Sequence, residues 1–332
     1  MSKPKVIFVT YPNGYFGSAG QSWLSLSIDR ISKDLKNNGY DVAQYPVNEL
    51  IGSNDITEDD IVVYTSSENE ALRNYIKDIV FMISKKCKVV PNFDLLMAHE
   101  NKGFQELYRQ TYGFGNIKGS YNIDHDNLPS KFPYVYKSIT GAGSSGVTLV
   151  RNLKERKEIV NEKEKVNFKR YAISIARKLK LTTAEYSIYK YNKKSFIPYV
   201  TQSFIEGLSF DYKVLVFWDK LYVLKRNIRK NDFRASGSGL LKFTEPPEIL
   251  LDYALDIFSQ LDTPYASLDI CISESGCHLI EFQALNFGPY ALKKSPGFYY
   301  KSDGNWQFKK QDSNLEDEFS RSIFKYIDAL VV

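Results

Sequence analysis

The stretch Ser267–Gln283, with the sequence SLDICISESGCHLIEFQ, contains two β-rich runs that predict a β-hairpin. Asp269 lies in the first strand and Glu281 in the second, and Gln283 shares a sheet face with Glu281 because side chains alternate along a strand. Two carboxylates and an amide oxygen on one face suit magnesium, which shares its oxygen ligands with phosphates. Solvated strand carboxylates are the alternative, although the apolar neighbours of Glu281 argue against an idle charge.

Upstream of the hairpin, a strand that ends in a lysine leads into a glycine-rich loop. The strand is Pro133–Lys137, and the loop is Gly141–Gly146. A P-loop would continue with Lys and then Ser or Thr, whereas Val147 and Thr148 follow here, so a Walker motif is excluded. The backbone N–H groups of such a loop can approach phosphates, and a nearby lysine supplies a point charge. An ordinary turn with a surface lysine is the alternative.

Two further segments lie between this loop and the hairpin. Thr201–Gly207 begins as an apolar strand and then breaks, which can stack an adenine and offer backbone groups to its edge. An acid follows in Phe210–Val214 and can hold a ribose. Together the segments suit a nucleoside.

The first ninety residues alternate between strands and helices. Strands are predicted at 5–10, 41–47, 61–65 and 87–90, with one helix over Leu24–Leu35 and another over Leu72–Ile83. Such alternation predicts a parallel sheet covered by helices. A further helix is predicted over residues 92–112.

The composition sets the class of protein. The chain has 332 residues, 43% of them hydrophobic, and a net charge of +5 from 44 basic and 39 acidic side chains. A disordered tail, a collagen and a small disulfide scaffold are excluded. Three cysteines without metal-ligand spacing favour a reduced, cytoplasmic setting. No run approaches the ~18 apolar residues of a transmembrane helix, so we expect no membrane partner. The three scattered histidines disfavour a catalytic triad or zinc site.

The order of these parts resembles the ATP-grasp superfamily, from about residue 92 to residue 290. RimK-type glutamate ligases and related carboxylate–amine ligases are the most similar type. The resemblance implies an α/β (α+β) fold with a Rossmann-like pre-ATP-grasp domain over residues 1–91. Two ATP-grasp subdomains would follow over 92–200 and 201–332, with ATP bound between them.

The resemblance also implies roles in nucleotide binding. Lys102 and Lys137 match the two lysines that contact the nucleotide phosphates, and Asp211 matches the acid that hydrogen-bonds the ribose. Lys213 stands where RimK-type enzymes usually have arginine. The loop that closes over the phosphates is matched by Gly141, Gly143, Ser144, Ser145 and Gly146, and the adenine hinge by Gln202, Phe204 and Ile205.

On the substrate side, Arg234 matches the arginine of an Asp-Phe-Arg segment that faces the acyl phosphate and the substrate carboxylate. Arg226 matches another phosphate-side arginine, and Lys137 completes the implied catalytic set. The segment Ala235–Gly239 stands where the family often has asparagine, so substrate contacts there are expected to differ.

Asp269 and Glu281 match the metal carboxylates of the family, which implies two Mg²⁺ ions, with Mn²⁺ as an alternative. The family usually has Glu-x-Asn, whereas this chain has Gln283, one methylene longer. Gln283 can bind from a shifted backbone, or Asn286 can replace it, or the second metal site is weakened.

The implied activity is ATP-dependent ligation of a carboxylate and an amine through an acyl phosphate, with release of ADP and phosphate. The substrates would be small molecules or linked to a polymer, with an anionic acceptor, and RimK-type relatives often assemble as dimers or tetramers. A kinase that phosphorylates a hydroxyl on the same scaffold is the alternative.

A basic segment over residues 151–194 suggests another class, a polyanion-binding or nucleic-acid-binding protein with a degenerate ATP site. It has 14 Lys and Arg against 5 acids, a local charge of +9 that leaves the rest of the chain at −4. Alternating Glu and Lys is more often a solvated helix face. Because aromatic residues interleave with cations further along, a polyanion site stays open, but we do not expect nucleic acid.

Overall fold

The computed structural model describes residues 3–17, 20–21, 23–50, 55–141, 146–163, 168–193, 196–229, 232–235 and 239–331. Three β-sheets occur in these ranges. Among the described helices, none combines the length and the apolar content needed to cross a bilayer.

The first sheet is parallel and has the order β2-β1-β3-β4. β1 is buried at all five positions, which agrees with its β-branched and aromatic composition. The bounds are β1 (Val6–Thr10), β2 (Val42–Pro46), β3 (Ile61–Tyr64) and β4 (Lys88–Val90). The helices between them are α1 (Ile28–Ile31), α2 (Lys33–Asn37) and α3 (Glu70–Ile83), with a 3₁₀ turn at Val47–Glu49.

Two predicted helices differ from the structure. The predicted helix over Leu24–Leu35 begins only at Ile28, because the Ser27 side chain accepts from the backbone N–H of Arg30 and caps it there. It is then divided at Ser32 into α1 and α2. The predicted helix over residues 92–112 is two helices, α4 (Phe93–Ala98) and α5 (Lys102–Tyr112).

The second sheet is antiparallel, with the order β5-β8-β6-β7. Its strands are β5 (Gly119–Asn122), β6 (Tyr134–Ser138), β7 (Val147–Val150) and β8 (Tyr199–Ser203). The basic segment forms helices between β7 and β8, namely α6 (Leu153–Lys163), α7 (Phe168–Lys180) and α8 (Thr183–Lys193). The division into domains at residues 91 and 200 stays a prediction, and residue 200 falls within β8.

The third sheet has seven strands in the order β13-β12-β9-β10-β14-β15, with β11 paired to β10. The predicted hairpin is its β12–β13 pair. The strands are β9 (Phe210–Phe217), β10 (Lys220–Asn227), β11 (Leu241–Lys242), β12 (Tyr265–Ser273), β13 (Gly276–Gln283), β14 (Gly297–Ser302) and β15 (Asn305–Lys310). The helices are α9 (Glu248–Leu261), α10 (Tyr290–Lys294) and α11 (Leu315–Val331).

One hydrophobic core joins the first and third sheets. Phe8 of β1 and Phe217 of β9 belong to the same cluster of buried side chains, together with Phe319 of α11. Helix α11 also packs on α1 and α2. The third sheet is therefore held against the first.

Candidate active site

A cavity of about 620 Å³ lies between the second and third sheets. Strands β6 and β8 and the start of α5 line one side of it, and strands β9, β10, β12 and β13 line the other. The sequence-predicted residues on its wall are Lys102, Lys137, Gly141, Gln202, Phe204, Ile205, Asp211, Lys213, Arg226, Arg234, Asp269, Glu281 and Gln283. Residues from five separate segments are thus brought together around one space.

Two buried lysines line the side formed by the second sheet. Lys102 is the first residue of α5, which Asn101 caps, and its Nζ donates to the carbonyl oxygen of Gly141 at 2.5 Å. Lys137 is 7% exposed. Burial lowers the pKa of Lys137 to about 8, because desolvation disfavours the ammonium form and the charge of Glu281 offsets this only in part. The Lys137 side chain therefore loses its positive charge as the pH rises through about 8.

Charges also alternate across three neighbouring strands of the third sheet. Arg226 donates two hydrogen bonds to Asp211, both of 2.7 Å, and lies 2.8 Å from Asp269. Lys213 donates to the other oxygen of Asp269 at 2.9 Å. The strand register produces this arrangement, since Arg226 faces Asp211 and Asp269 faces Lys213 across the ladders. Two cations and two carboxylates therefore neutralise one another.

This pairing controls the ionisation of Asp269. Burial by itself raises the pKa of its carboxyl group, but the adjacent Arg226 and Lys213 outweigh burial and lower that pKa to about 2. Asp269 is therefore a carboxylate throughout the neutral range.

A β-bulge sets the direction of the predicted metal ligands. Asp269 pairs with Glu281, but Ile270 pairs with Leu279, so Ile280 is an extra residue in β13. The bulge makes Glu281 the cross-strand neighbour of Asp269. Among the described residues, no hydrogen bond or ion pair engages the Glu281 carboxylate, although its charge acts on Lys137.

Arg234, in the segment after β10, lines the cavity. Its Nε and Nη2 donate to the two carboxylate oxygens of Asp232, each at 2.9 Å, and its Nη1 lies 3.4 Å from the carbonyl oxygen of Val147 in β7. The hydrogen bonds from Arg234 lower the pKa of Asp232 to about 2. Phe233 meets Phe204 edge-on at 6.2 Å between ring centroids. The Asp-Phe-Arg segment therefore bridges the two sheets.

Comparisons with known proteins identify the architecture. No family model matches the chain, and no curated protein sequence does. Solved structures do match, over 97–99% of this chain and 98–99% of theirs. They include the D-cycloserine synthetase DcsG (TM-score 0.55, 10% identity), a D-alanine–D-alanine ligase from Bacillus anthracis complexed with ATP (0.52, 13%) and the ATP-grasp ligase PsnB complexed with minimal precursor, Mg and ADP (0.51, 11%).

The chain has the ATP-grasp fold. The predicted fold class is confirmed. We call the cavity between the second and third sheets the ATP-grasp cavity. At identities of 10–13%, the likeness concerns the fold, and the roles of individual residues stay predictions.

Two side chains of the hairpin could supply oxygen ligands to a divalent cation in the ATP-grasp cavity. Glu281 and Gln283 present oxygen donors, and Asp269 lies directly across the ladder. Each oxygen of Asp269 already accepts from one cation, so a metal ion at Asp269 would use the remaining lone pairs of the carboxylate. Asn286 is not among the described residues that line the cavity. The described residues contain no cluster of three or more His, Cys, Asp or Glu suited to a metal.

The predicted phosphate loop is only partly described. Gly141 lines the cavity, whereas Gly146 closes the turn between β6 and β7 and accepts a hydrogen bond from the Ser138 backbone. Gly146 has φ of +70°, and a Cβ there would lie 1.9 Å from the Ser138 Oγ. A larger residue there would be strained and would require Ser138 to move. Gly143, Ser144 and Ser145 lie outside the described residues.

Sequence reasoning missed a buried ion pair that contacts Gln202 of β8. Glu106 and Arg109 of α5 form a buried ion pair, and Arg109 donates to the Leu279 carbonyl oxygen at 2.9 Å. The Gln202 side chain donates to Glu106 at 3.1 Å. Gln202 is thereby fixed by its neighbours. The available signal was the helical spacing of Glu106 and Arg109 from Lys102, which places all three on one face of α5.

Proposed function

We propose that this protein is an ATP-dependent carboxylate–amine ligase of the RimK type, forming an amide with release of ADP and phosphate. The supporting observation is the convergence of the family-matched residues on one cavity between two sheets of an ATP-grasp fold. Five segments far apart in the chain contribute to it. A chance set of surface residues would not be expected to converge in this way.

The nucleotide half of the proposal is supported by the lining of the ATP-grasp cavity. Its described apolar side chains suit the faces of an adenine and are contributed by several strands and loops. They are Ile117, Val135, Val147, Phe204, Ile205, Leu208, Phe210, Ile228, Phe233, Leu241, Ile280 and Phe282. Lys102 and Lys137 lie on the same wall and suit the phosphates.

The proposed chemistry transfers the ATP γ-phosphate to a substrate carboxylate, and an amine then displaces phosphate from the acyl phosphate. Magnesium, held by Glu281 and Gln283 with Asp269, would neutralise phosphate charge. Lys137 and Arg234 both line the cavity, and Arg234 reaches the carbonyl oxygen of Val147, the residue that pairs with Lys137 across the β6–β7 ladder. The two cations would offset the charge that develops beside them. The protein thus acts by positioning and by electrostatics, with no side-chain nucleophile required.

A screen of acid and amine pairs tests the proposal. We expect phosphate release only when both an acid and an amine are present, in step with ADP. ADP formed without free phosphate, together with a phosphorylated product, would instead establish the kinase. Absence of nucleotide turnover with every pair, combined with steeply salt-dependent RNA binding, would favour the polyanion-binding alternative.

A further inference from the structure

The helical hairpin α7–α8 has no role in the proposed nucleotide site, although cations far outnumber acids along it. Ile173–Lys193 contains five cations, Arg177, Lys178, Lys180, Lys190 and Lys193, and all are exposed. The same range contains one acid, Glu185, which is engaged by Thr182. Within Ile173–Lys193, the five cations therefore have no acidic side chain other than Glu185 to neutralise them.

The same hairpin exposes apolar side chains to an unusual extent. Ile175 and Leu179 lie one turn apart on α7, and Ile188 and Tyr191 lie one turn apart on α8. Their exposed fractions are 47%, 83%, 63% and 62%, and α8 contains no buried residue. Isolated exposed apolar residues are ordinary, but two helical pairs among five cations are not.

The hairpin is nevertheless folded on itself. The Ser174 and Tyr186 hydroxyls lie 2.9 Å apart, and Arg177 lies over the Tyr189 ring at 6.0 Å. These contacts join the inner faces of α7 and α8, so the exposed pairs are directed away from them.

We propose that α7–α8 is a docking surface for an acidic polypeptide that carries apolar side chains, and that this polypeptide is a substrate of the ATP-grasp cavity. The inference rests on the proposed function for its second half only. The five cations supply attraction for acidic side chains, and the exposed pairs supply contacts for apolar ones.

Connectivity supports delivery to the cavity. The chain enters the α6–α8 insertion from β7, whose Val147 lines the cavity, and leaves it through β8, which carries Gln202. A polymer bound on α7–α8 is thus held on an insertion that both begins and ends at cavity strands.

The distribution of charge favours a polypeptide over two other polyanions. Outside residues 151–194 the chain has a net charge of −4, so a broad anionic membrane would repel most of the molecule, whereas a narrow chain meets only the basic hairpin. A nucleic acid would match the cations but offers little to the Ile175–Leu179 and Ile188–Tyr191 pairs.

Binding of a labelled peptide tests the inference without ATP. The probe is a peptide of glutamates with leucine at every fourth position, and the comparison ligands are polyglutamate of equal length, phosphatidylserine vesicles and single-stranded RNA. We expect the leucine-containing peptide to bind tightest. The triple variant Lys178→Glu, Lys180→Glu, Lys190→Glu should weaken its binding by about tenfold or more.

Matched controls distinguish binding by this surface from non-specific effects of net charge and of exposed apolar side chains. Lys33→Glu, Lys131→Glu, Lys309→Glu changes the net charge equally at exposed sites elsewhere, and should leave binding unchanged. Leu179→Ser with Ile188→Ser should weaken binding, whereas Leu24→Ser with Ile249→Ser, also exposed, should not. All these positions are at the surface, so folding is expected to be retained.

Some outcomes would overturn the inference. Equal binding by the hairpin variants and their controls would refute it, as would vesicles or RNA that bind tighter than the peptide through the same residues. Ligation of small acids should be unaffected by the hairpin variants. If neither the wild-type protein nor any variant ligates small acids while peptide binding is intact, the result counts against the proposed function and not against the docking surface.

Discussion

At the scale of single residues, burial in the cavity lowers the pKa of Lys137 into the range where enzymes work. It is buried on β6, and its pKa of about 8 lies within the working range of most enzymes. Below that pH the ammonium is charged and can bind phosphate. As the pH rises through about 8 the charge is lost, so nucleotide affinity should fall in the same range.

This pH dependence can be measured directly. We expect the Kd for ADP to rise by up to about tenfold per pH unit above pH 8, because the neutral amine must be protonated on binding. Lys137→Arg should flatten the profile, since a guanidinium stays protonated. Lys131→Arg, at an exposed lysine nearby in sequence, should keep the wild-type profile. Equal slopes in all three proteins would contradict the assignment.

Glu281 is the second residue with a specific prediction. Glu281→Gln keeps the shape but removes the charge, and should lower ATP turnover by at least about 100-fold if this side chain holds the metal. Glu274→Gln, in the exposed turn of the same hairpin, should retain activity. Turnover and its dependence on magnesium concentration are the measurements. A Glu281→Gln enzyme with unchanged turnover would disprove the metal assignment.

At the scale of elements, β9, β10 and β12 are joined by buried charges as well as by the ladder. Arg226 of β10 serves Asp211 on β9 and Asp269 on β12, and its side chain is 10% exposed. Removing one member leaves charges in the interior without a partner, which costs far more than the pair gains.

Arg226→Met should therefore reduce the free energy of unfolding by about 3–5 kcal/mol. Arg229→Met, three residues further along at an exposed position, should change it by less than about 0.5 kcal/mol. The double variant Arg226→Met, Asp211→Leu should recover part of the loss, because Lys213 still serves Asp269. Denaturant unfolding measures all three. A double variant no more stable than the single one would speak against this account.

At the scale of the whole molecule, the first and third sheets share one core through α11. Phe319 is fully buried and meets Tyr265 edge-on at 4.5 Å and Phe287 in a stacked arrangement at 6.1 Å. The same cluster includes Phe8 and Ile31 from the N-terminal part of the chain. We expect these parts to unfold together.

Phe319→Ala should lower the free energy of unfolding by about 3–5 kcal/mol, from lost burial and the cavity left behind. Leu330→Ala, exposed on the same helix, should cost much less. Both proteins should show one transition for probes in the first and third sheets. Separate transitions, or a loss below about 1 kcal/mol for Phe319→Ala, would mean that the core is not shared in this way.

Prediction from sequence succeeded where the signal was local. The β12–β13 hairpin followed from two β-rich runs, and the parallel first sheet followed from alternating strands and helices. The division of residues 92–112 into α4 and α5 was missed. It takes place at His99–Asn101, where two caps interrupt an otherwise helical composition.

The residues proposed for the site were named one by one from the family resemblance and their roles stay predictions, but their internal pairing was not foreseen. Motif order identified Asp211, Arg226 and Asp269 separately, whereas their mutual ion pairs depend on the register of three strands. The Glu106–Arg109 pair was missed for a different reason, since its i,i+3 spacing within α5 is local. It acquires its significance only because α5 packs behind β8 and beside β13.

The sequence by itself determined the alternation of strands and helices in the N-terminal part, because hydrophobic periodicity is a local property of the chain, and its motif order implied the ATP-grasp fold by resemblance. The tertiary structure alone decided which charges neutralise one another and that Glu281 lies across from Asp269. It also placed the basic, apolar hairpin between two cavity strands. Those features arise from sheet register, a bulge and helix packing, which bring together residues separated by tens of positions in the sequence.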